Sequence, residues 1–270
     1  MTGDIHATTA TELLDSVLAE LDGECLLVDP SASVLRAVGE LDHEDSRVSD
    51  LRVLASESVL KSVRDEFLAA SALADYVEAD RVSLRVSTAD VDNTLVSTED
   101  SLYAVVQAPA DGAVALAADD DAFVADINAT YTAQFDAAES FSLRTPGRTR
   151  VHETLAADLG EAIESDFRAV LDSLDAVSDE TLDEVTVALL VTARNEGMLY
   201  DLSRWGENVG IASKATFSRA KTTLEDEGIL DTEKVPIDVG RPRQRLLLDH
   251  DELAAADIDE FAAVAQRVLA

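Results

Sequence analysis

The sequence predicts an α/β domain with a mainly parallel sheet, a long linker helix, and a smaller α+β module that finishes in a hairpin and a closing helix. Three observations carry this. Short apolar segments alternate with amphipathic ones as far as Thr145-Pro146-Gly147, the pattern of strand–helix units. One apolar stripe then recurs from Leu155 to Leu174. Between Asp201 and Asp249 a helical stripe is stopped by glycine and followed by two β-prone segments around a Gly-Pro turn. The boundaries this sets are 1–146, 147–177, 178–250 and 251–270.

In the first domain, Thr8 or Thr9 caps a helix to about Asp22 whose apolar face is Leu13, Leu14, Val17, Leu18 and Leu21. Glu24 to Asp29 is an apolar strand, ended by Asp29-Pro30-Ser31. A short helix from Ser33 to Leu41 and a polar loop to Asp50 lead to a second strand, Leu51–Ala55. Ser56 then caps one long helix, Glu57 to Ala79. Arg81–Ser87 alternates as a strand should, and Ser101–Ala108 and Ala113–Ala118 flank the turn signal Pro109-Ala110-Asp111-Gly112. Asp119-Asp120-Asp121 opens a helix to about Ala138, and Phe141–Arg144 is a last strand.

Arg148 to about Ala176 reads as a single helix with Leu155, Leu159, Ile163, Phe167, Leu171 and Leu174 in a stripe. Its spacing fits a seam with a twin helix in a homodimer and equally fits packing on its own chain. Ser178–Thr181 starts a helix that Gly197 stops near Glu196. Leu199 to Glu207 is the next, with Trp205 filling the core, and Asp251–Leu269 closes the chain as an amphipathic helix. That last helix caps the module or meets a dimer partner.

The stretch between carries the chemistry. Phe217, Ala220 and Leu224 recur at i, i+3 and i+7, while Lys214, Ser218, Arg219 and Thr222 point away from them. With Ser213 and Thr216 at its start, this helix presents short donors and cations on one face. After Gly228 a strand, the turn Gly240-Arg241-Pro242 and a returning strand follow, with Arg241, Arg243 and Arg245 on one side. A helix-turn-helix inserts its second helix into the major groove of DNA, and an arginine hairpin beside it suits the phosphate backbone or the minor groove. The module is therefore a winged helix-turn-helix whose partner is double-stranded DNA. The turn Ile211-Ala212-Ser213-Lys214 is one residue longer than the commoner one, so the sequence leaves the start of the recognition helix open.

Charge supports the same placement. The 270 residues hold 55 Asp/Glu against 21 Lys/Arg, a net charge of −34. Between Arg194 and Arg245 nine basic residues balance nine acidic ones, which leaves a neutral island where a polyanion can approach. Abundant acids, many Ala and Val, and only four Lys beside 17 Arg resemble the proteins of extreme halophiles. In molar salt a Debye length of about 3 Å removes the self-repulsion of such a chain. No apolar run approaches the length that spans a bilayer, and the first residues lack a signal peptide's features, which points to a cytoplasmic protein without a membrane partner. Cys25 lies in an apolar run and the four histidines are scattered, so neither a metal nor a cofactor is expected. No phosphate loop, nucleophile elbow or paired-histidine motif is present, and the chain is not read as an enzyme.

The run Gly210 to Arg219, the segment Leu224-Glu225-Asp226-Glu227-Gly228-Ile229 and the tip Gly240-Arg241-Pro242-Arg243 resemble prokaryotic winged helices. Together with Glu24 to Ser31 and Leu51 to Ala55, the chain over its whole length resembles the haloarchaeal TbsP family of transcriptional regulators. That resemblance implies a DNA-binding regulator of metabolic genes. In the first domain Asp29, Ser31, Ser56 and Ser58 end two strands of a parallel sheet, where open α/β folds bind ligands, and they are the candidates for a small-molecule effector. The same residues also suit plain helix caps. Three functions stay open: a ligand-responsive transcription factor, a DNA-binding protein whose first domain only dimerises or recruits a partner, and an enzyme with an accessory winged helix.

Overall fold

The computed structural model describes residues 3–41, 48–87, 93–108, 112–174, 182–236 and 242–270. The chain divides into two compact units, Met1–Gly147 and Arg148–Ala270. Unit 1 runs β1 (Ile5–Ala7), α1 (Ala10–Ala19), β2 (Gly23–Val28), α2 (Ala32–Glu40), β3 (Val48–Ala55), α3 (Glu57–Arg64), α4 (Phe67–Glu78), β4 (Val82–Val86), β5 (Thr94–Ser97), β6 (Leu102–Gln107), β7 (Ala113–Ala117) and α5 (Asp121–Ala137).

These strands form one seven-stranded sheet in the order β1-β7-β6-β5-β2-β3-β4. The parallel sheet expected from strand–helix alternation is the β2-β3-β4 half. Antiparallel β5, β6, β7 and β1 extend it, so the sheet is mixed. Alternation along the strands sends Cys25, Leu27, Val53, Leu84, Val96, Tyr103 and Ala115 to one face, where Leu13, Val17, Leu35, Val38 and Leu73 of α1, α2 and α4 complete the main core. The opposite face holds a smaller cluster, Leu26, Val28, Leu54 and Phe135, under α5. Arg85 fixes the end of α5: its Nη1 donates to the carbonyls of Phe135, Asp136 and Ala138, and its guanidinium lies 4.6 Å from the Phe135 ring centroid.

Several expectations for this unit are corrected. The helix expected over Glu57–Ala79 is two, because Glu66 is extended, with its carboxylate forked by Arg36 at 2.6 and 2.7 Å. Phe141–Arg144 is not a strand. The chain just before it lies along the open edge of β4 through Val86 N–H to Glu139 O and Phe141 N–H to Leu84 O, both 2.9 Å, and Arg144 at φ +62° turns it away. Strands β1 and β5 were not foreseen, and the expected turn residues Pro109, Ala110 and Asp111 lie outside the described residues.

Unit 2 comprises α6 (Arg148–Leu159), α7 (Glu161–Leu174), α8 (Glu184–Arg194), α9 (Leu199–Val209), α10 (Lys214–Asp226), β8 (Leu230–Val235), β9 (Arg243–Leu248), α11 (Asp251–Ala255) and α12 (Ile258–Leu269). The long linker helix is broken at Gly160, whose φ of +102° no L side chain adopts readily, so α6 and α7 are separate helices. Leu155, Ile163, Phe167, Leu171 and Leu174 are buried inside this unit, and α12 packs on α7 with Phe261 and Ala265 buried. Of the two uses left open for the stripe, packing on its own chain is the one found. The expected start at Ser178–Thr181 lies outside the described residues, and α8 is capped instead by Asp183, which accepts from Thr186 N at 2.7 Å.

Candidate nucleic-acid interface

Helix α8 is apolar all round, with Val187, Ala188, Leu189, Leu190 and Val191 buried, and serves as the post against which the other helices stand. On α9, Leu202, Trp205 and Val209 face inward. Trp205 fills the core: its ring meets Phe167 edge-on at 6.3 Å, and its Nε1 donates to Thr154 Oγ1 at 3.0 Å. Gly210, at φ +99°, ends α9, and the N–H groups of Gly210 and Ile211 both return to Gly206 O. Gly206 itself permits the close crossing of α9 and α10. A Cβ there would overlap Cε2 and Cζ of Phe217, a ring that is wholly buried.

The start of α10, which the sequence leaves open, falls at Lys214. Ser213 is the N-cap of α10, its Oγ accepting from Thr216 N at 3.1 Å and lying 2.9 Å from Thr216 Oγ1. Phe217 and Leu224 anchor the helix, and Ser213, Lys214, Ser218, Arg219 and Thr222 are exposed, with Thr216 half-buried. Thr222 Oγ1 donates to Ser218 O at 2.9 Å, and Arg219 Nε donates to Ala215 O at 3.3 Å, which leaves the outer guanidinium nitrogens of Arg219 on the surface. Lys221 is different. It is buried and bonded to Glu225 at 2.6 Å, and Glu225 also accepts from Thr232 Oγ1, so this pair ties α10 to the hairpin and offers nothing outward.

The hairpin pairs β8 with β9 from Leu230↔Leu248 to Val235↔Arg243. A short third partner was not foreseen: Met198 bridges Arg245, and Leu246 N–H donates to Gly197 O at 2.9 Å. Arg241 lies outside the described residues. Arg243 and Arg245 share one side of β9, as alternation demands, yet neither projects free. Arg243 Nη1 sits 3.1 Å from Asp201 Oδ2, and Arg245 Nη1 sits 3.3 Å from Glu233 Oε2. Lys214 is likewise held by Glu207 at 2.8 Å, a bond that keeps the Glu207 carboxyl below its ordinary range. Most cations of the neutral island are thus pre-paired with carboxylates of the same chain.

The effector candidates in unit 1 do reach one place. Val28 and Leu54 are register partners, so Asp29, Ser31, Ser56 and Ser58 follow the carboxyl ends of adjacent parallel strands. Their hydroxyls already have work: Ser31 caps α2 and donates to Gln107 Oε1 at 2.7 Å, and Ser56 caps α3 and lies 3.1 Å from Ser58 Oγ. Asp29 adopts φ +46°, donating its N–H to Leu54 O and accepting from Thr94 Oγ1, both at 2.8 Å. Sequence reasoning missed Ser33 and Gln107, which join this edge from α2 and β6. Cys25 is buried, and that burial pushes its thiol up to about 12. Among the described residues no group of three His, Cys, Asp or Glu side chains is placed to hold a metal ion, and no helix is long and apolar enough to cross a membrane.

Comparison with known proteins places both units. Residues 2–146 match the model of the N-terminal domain of TbsP-like transcriptional regulators, and residues 147–266 match that of their C-terminal helix-turn-helix domain. No curated protein matches. Among solved structures, that of TrmBL2, an archaeal chromatin protein with a novel mode of DNA binding, aligns at 15% identity with a TM-score of 0.34. The alignment covers 52% of this chain and 55% of that one.

Proposed function

The chain belongs to the TbsP-like transcriptional regulators, and on that premise we propose that unit 2 binds duplex DNA with α10 in the major groove and the β8–β9 hairpin on the flanking backbone. The carrying observation is the exposed face of α10, where Ser213, Lys214, Ser218, Arg219 and Thr222 stand opposite the buried Phe217 and Leu224. Arg219 is the residue assigned to a base edge, since its outer nitrogens are available for a bidentate contact. Selection from a pool of random-sequence duplexes, in low and in molar salt, tests this. A motif of two half-sites should emerge, protected over about one helical turn per half-site; failure to enrich any sequence would refute the reading. Control of metabolic genes belongs to the same proposal, and mapping of bound DNA in cells grown with and without sugar checks it.

For unit 1 the interaction reading is favoured over effector sensing. The hydroxyls of Ser31 and Ser56 are engaged as caps, whereas Val106 and Leu116 are 44% and 43% exposed on the outer face of β6 and β7, and Phe123 of α5 is 52% exposed. On strands β6 and β7 this face also carries Ala104 and Val114, and no charge. A second copy brings no charged side chain of β6 or β7 against its twin there, so the expected homodimer is assigned to this face rather than to α7 and α12, which cover each other. Light scattering of the wild type and of Val106→Glu/Leu116→Glu in molar salt should give a dimer and a monomer respectively. Effector binding at Asp29, Ser31, Ser56 and Ser58 predicts instead a melting shift with a phosphorylated or carboxylated metabolite.

A further inference from the structure

Tyr200 is the one large apolar side chain among the described residues of unit 2 that stands well exposed, at 46%. Two guanidiniums flank its ring: that of Arg243 from β9 at 4.6 Å and that of Arg204, one turn along α9, at 5.7 Å from the centroid. Both cations lean on one carboxylate. Arg243 Nη1 reaches the two oxygens of Asp201 at 3.3 and 3.1 Å, and Arg204 Nη2 is 3.7 Å from Asp201 Oδ1. All three charged side chains keep solvent access, at 38%, 43% and 27%. The cluster therefore carries one excess positive charge in a molecule that is otherwise strongly acidic.

That arrangement is short of one anion. Two guanidiniums beside each other repel unless their charge is matched, and Asp201 matches only one of them. A phosphodiester supplies one negative charge and two acceptor oxygens in the planar geometry that a guanidinium fork fits. The aromatic ring restricts both arginines through cation–π contact, so less rotamer freedom is lost when the anion arrives. We propose that Tyr200, Arg204 and Arg243 form a phosphate site for the DNA backbone, which extends the interface from α10 onto α9, with Asp201 holding the two arginines until a phosphate shares them. The proposal builds on the reading that unit 2 binds duplex DNA and adds to it three residues that do not read bases. Of the two roles open to Arg243, backbone and minor groove, it assigns the backbone.

The test compares wild type, Arg204→Gln and Asp201→Asn in the full chain, on a selected duplex and on a scrambled duplex of equal length, across a salt series. The Arg204 side chain is 43% solvent-accessible and outside the core, so its replacement should leave the fold intact, which a melting curve verifies. Arg204→Gln should lose about tenfold in affinity on both duplexes alike, and the slope of log K against log salt should fall by about one. Asp201→Asn frees both guanidiniums and should tighten binding at low salt, with the gain shrinking as salt rises. A loss confined to the selected duplex, no loss at all, or weaker binding by Asp201→Asn overturns the phosphate site while the DNA reading stands. A wild type that binds neither duplex overturns the DNA reading itself.

Discussion

The carboxyl edge of the parallel strands in unit 1 and the exposed face of α10 in unit 2 start from the same local chemistry. In each, a serine caps a helix by accepting from the backbone N–H three residues on: Ser31 and Ser56 in unit 1, Ser213 in unit 2. Beyond the cap the two edges diverge. Behind Ser213 come Lys214, Ser218 and Arg219, and Arg243 and Arg245 stand on the hairpin packed against the same helices. Behind Ser31 and Ser56 come hydroxyls, apolar residues and Glu57, the cations that follow, Arg36 and Lys61, are taken up by Glu66 and Glu57, and Ser31 and Ser33 turn to Gln107. The lesson is that a capping serine is a statement about a helix, and cations that survive on the surface beside it make a site. The cations of unit 2 add a second lesson. With Lys214 on Glu207, Arg243 on Asp201 and Arg245 on Glu233, binding a polyanion means exchanging one carboxylate for another anion rather than filling an empty basic patch.

The contrast between the two edges breaks most visibly at the crossing of α9 and α10. Gly206→Ala drives a methyl group into the Phe217 ring, and should destabilise unit 2 by about 1–3 kcal/mol, with DNA affinity falling alongside. Denaturant unfolding followed at Trp205 measures it, and a midpoint equal to wild type would show that α9 and α10 do not cross so closely. The caps sharpen the contrast next. Ser31→Ala, Ser56→Ala and Ser213→Ala should each cost about 1 kcal/mol of stability. Only Ser213→Ala should also weaken DNA binding, because Lys214 and Thr216 lose their placement with the cap; an equal effect from Ser31→Ala would erase the distinction between the two edges.

The smallest effect expected is a pH dependence in the packing behind α9. His152 lies 2.9 Å from Glu164 Oε1 and edge-on to Phe167 at 6.2 Å. Burial, followed by the positive charge of Arg168, holds its imidazole below the ordinary histidine range. The unfolded chain then binds that proton more readily than the folded one. The stability His152 contributes is therefore complete above about pH 6.5 and declines as pH falls from there toward its folded value. Melting of wild type and His152→Gln between neutral and mildly acid pH should show the wild type losing more, and parallel curves would contradict this.

Much of the molecule was legible from sequence because its signals are local. Ser213, Gly210 and Gly228 set the ends of α9 and α10 through capping and left-handed turns, and Phe217 with Leu224 fixed which side of α10 is exposed. The parts that escaped depend on partners far along the chain. β1 pairs Ile5 with Ala115, and Met198 pairs with Arg245; neither short segment carries enough β-prone sequence to announce itself. The break at Gly160 escaped because a lone glycine is tolerated inside a helical stripe, and its positive φ is a property of the fold. In the same way Tyr200 and Arg204 sit one turn apart in plain view, and only the arrival of Arg243 from β9 makes them a cluster.

The central claim is that the exposed face of α10 reads DNA. It is tested most directly by fluorescence anisotropy of a selected duplex titrated with the full chain and with Lys214→Ala/Arg219→Ala, both residues being exposed and outside the core. Loss of one bidentate base contact costs about 1–3 kcal/mol, so the double variant should bind at least about fivefold more weakly and lose discrimination against a scrambled duplex, with its melting temperature unchanged. Equal affinity and an identical footprint for the two proteins would contradict the account.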